Sequence, residues 1–251
     1  MFRSFIYLDQ EKMYSYLRQI DKEFAERPIE ISSKKIRGAT VGVSKMSFNA
    51  GKEVEEKRDI NTDCFNDYDR FEKDLETLER EQYFDFVLDP DCDLKTIPRM
   101  SIFRVSGHVE IPEEFDIYNM TLTFMPMLKD QIQAESNDES GLLSTFLENA
   151  SADIPVLIED ENVTISGKLR SDNLRETYSE LEEYSEQEVY VLCKVIGLMD
   201  KEQVEIFNPL KDFIKLPRAV RRKADDSQNS DFKNIVINGP VLKVEIIAIY
   251  K

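Results

Sequence analysis

The chain has 251 residues, 41% of them hydrophobic, which is enough to bury a full core and too apolar for general disorder. Its 50 acidic and 33 basic residues leave a formal charge of −17. That excess disfavours a nucleic-acid-binding face and an anionic-membrane surface, since both need concentrated positive charge.

The first element is "FIYLDQEKMYSYLRQI", from Phe5 to Ile20. Asp9, Glu11 and Lys12 interrupt its apolar run, so it is not expected to act as a secretory signal. No later segment approaches the roughly 18 apolar residues of a membrane span. Phe5–Leu8 reads as a buried strand and Asp9 as the N-cap of a helix. Met13, Leu17, Ile20 and Phe24 share one face of that helix, which Arg27-Pro28 is expected to stop. Tyr14 and Tyr16 are expected at the rim of the stripe.

Residues 31–60 change character. "KKIRGATVGVSKMSFNAGKEVEEKRD" alternates small apolar and polar residues and then becomes strongly charged. It reads as a mobile hairpin or arm, with Val41 and Val43 on one strand face and Met46 and Phe48 on the other. Such an arm suits pairing with a partner's sheet edge. Asn66 reads as the cap of a helix running to about Phe84. Tyr68, Phe71, Leu75 and Leu78 form its inner stripe, and Asp69, Glu72, Glu76 and Glu79 its wet side.

Strand-like segments follow at Ser101–Ile111, Val156–Leu169, Val189–Met199 and Val241–Tyr250. Helical patterns lie after Pro112 and across Gly141–Asn149 and Asn173–Gln187. The polar run Gln133–Gly141 reads as a linker, which would divide the chain into lobes at 1–135 and 142–251. "VSGHV" (Val105–Val109) and "ISGKL" (Ile165–Leu169) echo each other, but five positions do not establish a repeat. The expected class is α+β: mixed or antiparallel sheets with helices packed on them, in one body or in two lobes.

Chemistry is sparse. Cys64, Cys92 and Cys193 are widely spaced and form no disulfide or metal pattern, which fits a reducing cytoplasm. His108 is the single histidine, so any Ser–His–Asp triad would need it; it reads instead as a solvent-facing strand residue. "DPDCDL" (Asp89–Leu94) resembles a calcium loop, but Leu94 stands where the turn needs glycine and Met100 where a glutamate belongs. "GATVGVSK" and Gly167-Lys168 both lack phosphate-loop spacing. No cofactor is expected. The basic cluster "LPRAVRRK" supplies Arg218, Arg221, Arg222 and Lys223 as a candidate interaction patch. Asp225 and Asp226 follow at once and favour charge pairing with protein over nucleic acid.

In order along the chain, "FIYLDQEKMYSYLRQI", the arm at Gly38–Arg58, "YDRFEKDLETLE" and "VSGHVEIPEEF" resemble an uncharacterised bacterial family defined only as a domain of unknown function. The resemblance brings no catalytic residues. It implies an accessory role in mobile-element or phage-defence loci. The leading expectation is therefore a non-enzymatic cytoplasmic regulatory or protein-interaction factor, with a protein partner or self-association. One alternative is a metal-dependent hydrolase or nuclease whose carboxylates gather only in the fold. Another is an acidic mimic of nucleic acid.

Overall fold

A computed structural model describes residues 3–25, 62–79, 81–89, 93–117, 119, 153–160, 162–208 and 234–251. The arm at 31–60 with Val41, Val43, Met46 and Phe48 lies outside these residues. So do the 133–141 linker, the 141–149 helical pattern, Asp91, Cys92, and the cluster Arg218, Arg221, Arg222 and Lys223.

The fold is α+β, organised around one mixed sheet. Its strands are β1 (Phe5–Leu8), β2 (Tyr83–Asp85), β3 (Ile102–Gly107), β4 (Val109–Glu110), β5 (Ile154–Glu159), β6 (Thr164–Leu169), β7 (Val189–Met199) and β10 (Val241–Tyr250). They run in the order β2-β3-β7-β10-β6-β5-β4, with β1 also on β10. β8 (Gln203–Phe207) and β9 (Ile235–Asn238) form a separate antiparallel ribbon.

Central β10 is ten residues long, which lets it serve three partners. β7 runs antiparallel along one edge. On the other, β6 pairs in parallel through Val241–Lys243, and β1 pairs antiparallel through Ala248–Tyr250. β10 is buried at eight of its ten positions, and its sequence "VLKVEIIAIY" is broken only by Lys243 and Glu245 and closed by Tyr250. A near-continuous apolar run is what a strand covered on both faces requires. β1, β2 and β3 come from one expected lobe, and β5, β6, β7 and β10 from the other. The sheet interleaves them, with β3 beside β7 and β1 beside β10.

α1 (Gln10–Ile20) begins where expected, its first turn closed by the Asp9 carboxylate, which accepts the Lys12 N–H at 3.1 Å. It ends sooner than expected. The Asp21 side chain accepts the Phe24 N–H at 3.0 Å and starts a new turn, α2 (Lys22–Ala25), so the break precedes Pro28 by about two turns. Met13, Leu17 and Phe24 are buried as the stripe predicts, and Tyr14 joins them rather than staying at the rim. α3 spans Thr62–Glu76, starting one turn before Asn66 and ending well short of Phe84. The Thr77 hydroxyl donates to the Asp74 carbonyl at 2.7 Å, and the chain turns there toward β2. Tyr68, Phe71 and Leu75 are buried against α1 and the sheet. α4 (Tyr178–Glu183) is shorter than the helical pattern over Asn173–Gln187 and carries a Thr177/Glu180 capping box.

The glycines of the two echoed motifs have a packing role. A Cβ on Gly107 would lie 2.8 Å from the Ile158 side chain, and one on Gly167 would lie 2.6 Å from that of Ile246. The two strands pair differently, β3 antiparallel to β7 and β6 parallel to β10.

Arg70 of α3 ion-pairs with Asp21 and Glu23 and ties α3 to the α1–α2 corner. Burial, followed by the charge of Asp21, holds the Asp74 carboxyl above the ordinary aspartate range. An ionised Asp74 is therefore disfavoured in the folded chain. Stability should fall as pH rises from about 4, the unfolded value, through the higher folded one. Asp74→Asn removes that loss. Thermal unfolding at pH 7 should move to higher temperature in the variant and coincide with the parent at pH 3; a lower midpoint at pH 7 would show that the carboxylate stabilises.

Candidate functional site

Two polar constellations and one strand edge stand out from the core. The first constellation is closed. Glu72, expected on the wet side of α3, is only 6% exposed. Its carboxylate accepts Arg104 Nη1 at 2.9 Å and the Tyr250 hydroxyl at 3.0 Å, and it pairs with Arg3. Arg104 reaches it from β3 and also forks onto both oxygens of Asp85 in β2. Arg3 pairs with Asp69 as well and lies over the rings of Tyr68 and Tyr250 at 5.6 and 5.3 Å. Burial opposes the Arg104 charge, but the hydrogen bonds to Asp85 and Tyr250 outweigh it and hold the guanidinium firmly protonated. Each member spends its charge on another member. The cluster is an ionic staple joining α3, β2, β3 and β10, with Asp69 its one largely exposed carboxylate.

The second constellation is open. A cleft of about 360 Å³ lies between the start of α1, β6, β10 and the end of β8. Period-two alternation puts Ser166 and Lys168 on one side of β6, and Lys243 and Glu245 on one side of β10. Lys12 and Arg170 close it at the α1 end and Phe207 and Asn208 at the ribbon end. Lys12 pairs with buried Asp9 at 3.1 Å and with Glu245 at 3.5 Å, and Arg170 with Glu11 at 3.0 Å. Glu245 also accepts the Tyr16 hydroxyl. Lys243 donates to the main-chain carbonyl of Glu205 at 2.9 Å.

The strand edge is the far end of β7. β3 pairs with β7 only through Lys194, and Val195 is still held by Ser101 and Met100. Beyond it, Ile196–Met199 keeps β10 on one side, and among the described residues no strand pairs on the other. Arg99 Nε donates to the Ile196 carbonyl at 2.9 Å. Ile196 is 50% exposed, Leu198 38%, and neighbouring Met100 66%.

His108 is exposed in the break between β3 and β4, as expected of a solvent-facing residue. Asp93 caps a 3₁₀ turn at Leu94–Thr96, accepting the Lys95 N–H at 2.9 Å. Cys64 and Cys193 are both free and buried, and burial raises both thiols above their ordinary pKa. Among the described residues no group of three or more His, Cys, Asp or Glu is placed to hold a metal ion. No helix among them is long and apolar enough to cross a membrane.

The geometry defines an α+β protein whose mixed sheet is fastened by buried ion pairs, with an open cleft and a strand end that, among the described residues, lacks a second partner strand. The chain belongs to the family Domain of unknown function (DUF6414), whose profile matches residues 2–250. No curated protein and no solved structure matches it.

Proposed function

We propose that the protein is a non-enzymatic cytoplasmic regulatory factor that acts by binding another protein, as an accessory of bacterial phage defence. What supports the binding role is the end of β7, which among the described residues has no strand beside it past Val195, other than β10. Main-chain groups there, flanked by exposed Ile196, Leu198 and Met100, are a template for an added strand. An extended segment of the partner would take the place that β3 leaves vacant, with main-chain hydrogen bonds giving affinity and the apolar side chains giving register.

Affinity purification from the native host tests this. The parent chain should retain a stoichiometric protein, and Leu198→Lys should lose it while melting close to the parent. Deleting 36–58 should weaken retention without moving the melting transition if the arm adds to the same contact. Full retention by both variants would overturn the reading. A divalent-cation-dependent hydrolase activity lost in the Asp91→Asn, Asp93→Asn double variant would displace it in favour of an enzyme.

A further inference from the structure

We propose that the cleft between α1, β6, β10 and β8 binds the phosphate group of a small metabolite, a role different in chemistry from strand pairing at β7, although Ile196 of β7 also lines the cleft. The argument begins with charge. In a chain of net charge −17, the cleft lining gathers Lys12, Lys168, Arg170 and Lys243 against Asp153, Glu205 and Glu245. Such an excess of cations, held on a strongly acidic protein, runs against the overall composition.

Two of the three acids are already engaged by neighbouring side chains. The Glu205 carboxylate accepts the side-chain amides of Asn208 at 3.2 Å and Asn234 at 2.7 Å. Glu245 is engaged by Tyr16 and Lys12. Lys243 differs from the other cations. Its ammonium is tethered to an uncharged main-chain carbonyl, and among the described residues it has no carboxylate within ion-pair distance. The half-buried ammonium has N–H donors beyond that single bond, so an anion entering the cleft would meet it without displacing a carboxylate.

Geometry narrows the ligand. Lys243 pairs in register with Ser166, and Lys168 lies two residues further along β6, so the two ammonium groups are diagonal neighbours on adjoining parallel strands. Lys168 is steered over the Phe207 ring at 5.7 Å. Two point-charge donors on rigid strands suit a compact dianion with several acceptor oxygens, which is the chemistry of a phosphate group. The volume of about 360 Å³ falls in the range of small-ligand pockets. Gly167-Lys168 contributes here through sheet geometry, not through a phosphate loop.

The test is calorimetric titration of the full chain with two probes, inorganic phosphate and adenosine 5′-monophosphate, at constant ionic strength. Saturable binding of either is expected, by phosphate alone if the free anion is the ligand and more tightly by the nucleotide if an ester is. Lys243→Gln should weaken binding about tenfold or more, the effect of losing one charge-assisted hydrogen bond. Lys168→Gln should act in the same direction, and Lys243→Arg should retain most of the affinity. The thermal midpoints of the ligand-free variants provide the check that they fold. The proposal is overturned if neither probe saturates the parent chain by about 10 mM, beyond the millimolar range of weak specific sites. It is equally overturned if Lys243→Gln and Lys168→Gln bind as the parent does.

Discussion

Glu72→Gln is expected to lower stability by about 3 kcal/mol, the effect of breaking a buried ion pair on one side. The substitution keeps the side chain's volume, so packing around Tyr68, Phe71 and Tyr250 is preserved and the change isolates charge. Arg104 and Arg3 would then face an amide where each had a carboxylate oxygen. Asp85 still neutralises Arg104, and Asp69 still neutralises Arg3, which keeps the loss below that of an isolated buried charge. For a chain of this size about 3 kcal/mol corresponds to a fall of about 9 °C in thermal midpoint. Asp69→Asn is the control. That carboxylate is largely exposed, and its loss should cost under about 1 kcal/mol. Equal midpoints for the two variants would mean that the staple contributes no more than a surface pair.

The second large effect concerns the contact between β6 and β10. Gly167→Ala would place a methyl group 2.6 Å from Cδ1 and 2.7 Å from Cγ1 of Ile246, a side chain with no exposed surface in which to retreat. Overpacking of this kind costs about 1–3 kcal/mol. Ile246→Ala alone leaves a cavity and costs about 2–5 kcal/mol. Combined, the added methyl enters the space that the isoleucine vacates. The double variant should be more stable than the sum of the single losses by about 1 kcal/mol or more, a coupling typical of residues in contact. Denaturant titration of the four proteins measures it. Strict additivity would place Gly167 and Ile246 apart and would contradict the β6–β10 register.

Much of this architecture is written locally. Asp9 followed by a four-three spacing of Met13 and Leu17 is enough to predict the β1–α1 entry, because a cap and an amphipathic stripe act within a few residues. Tyr68, Phe71 and Leu75 reveal the inner face of α3 for the same reason. The strongly apolar β7 and β10 were equally legible. The short elements were not: β2, β8 and β9 have three to five residues each and gain their strand character from neighbours far away in sequence. Val156–Leu169 reads as one strand-like segment because both of its halves are apolar, whereas the polar run from Glu159 to Asn162 between them is where the chain folds back from β5 to β6.

The candidate sites were less legible still. Glu72 has the spacing of a solvated position, and only the arrival of Arg104 from β3 and Tyr250 from β10 makes it buried and central. Lys243 is an isolated lysine in an apolar strand, and its meaning depends on where the Glu205 carbonyl lies. At the end of β7, "VIGLM" reads as a fully covered strand with apolar residues in succession. It is β3 stopping at Lys194 that leaves Ile196 and Leu198 exposed.

The position of β10 has a consequence for biosynthesis. It is the last of the described strands to be synthesised, yet three others need it as their neighbour. Until the ribosome has delivered Val241–Tyr250, β1 and β6 have no seam to close against, and β7 lacks its longest partner. An emerging chain therefore waits with its apolar strands open, and assembly of the sheet is gated by translation of its final strand. A message cut short before Val241 would yield a polypeptide whose β1, β6 and β7 lack their shared neighbour, which leaves apolar strands open to proteolytic clearance.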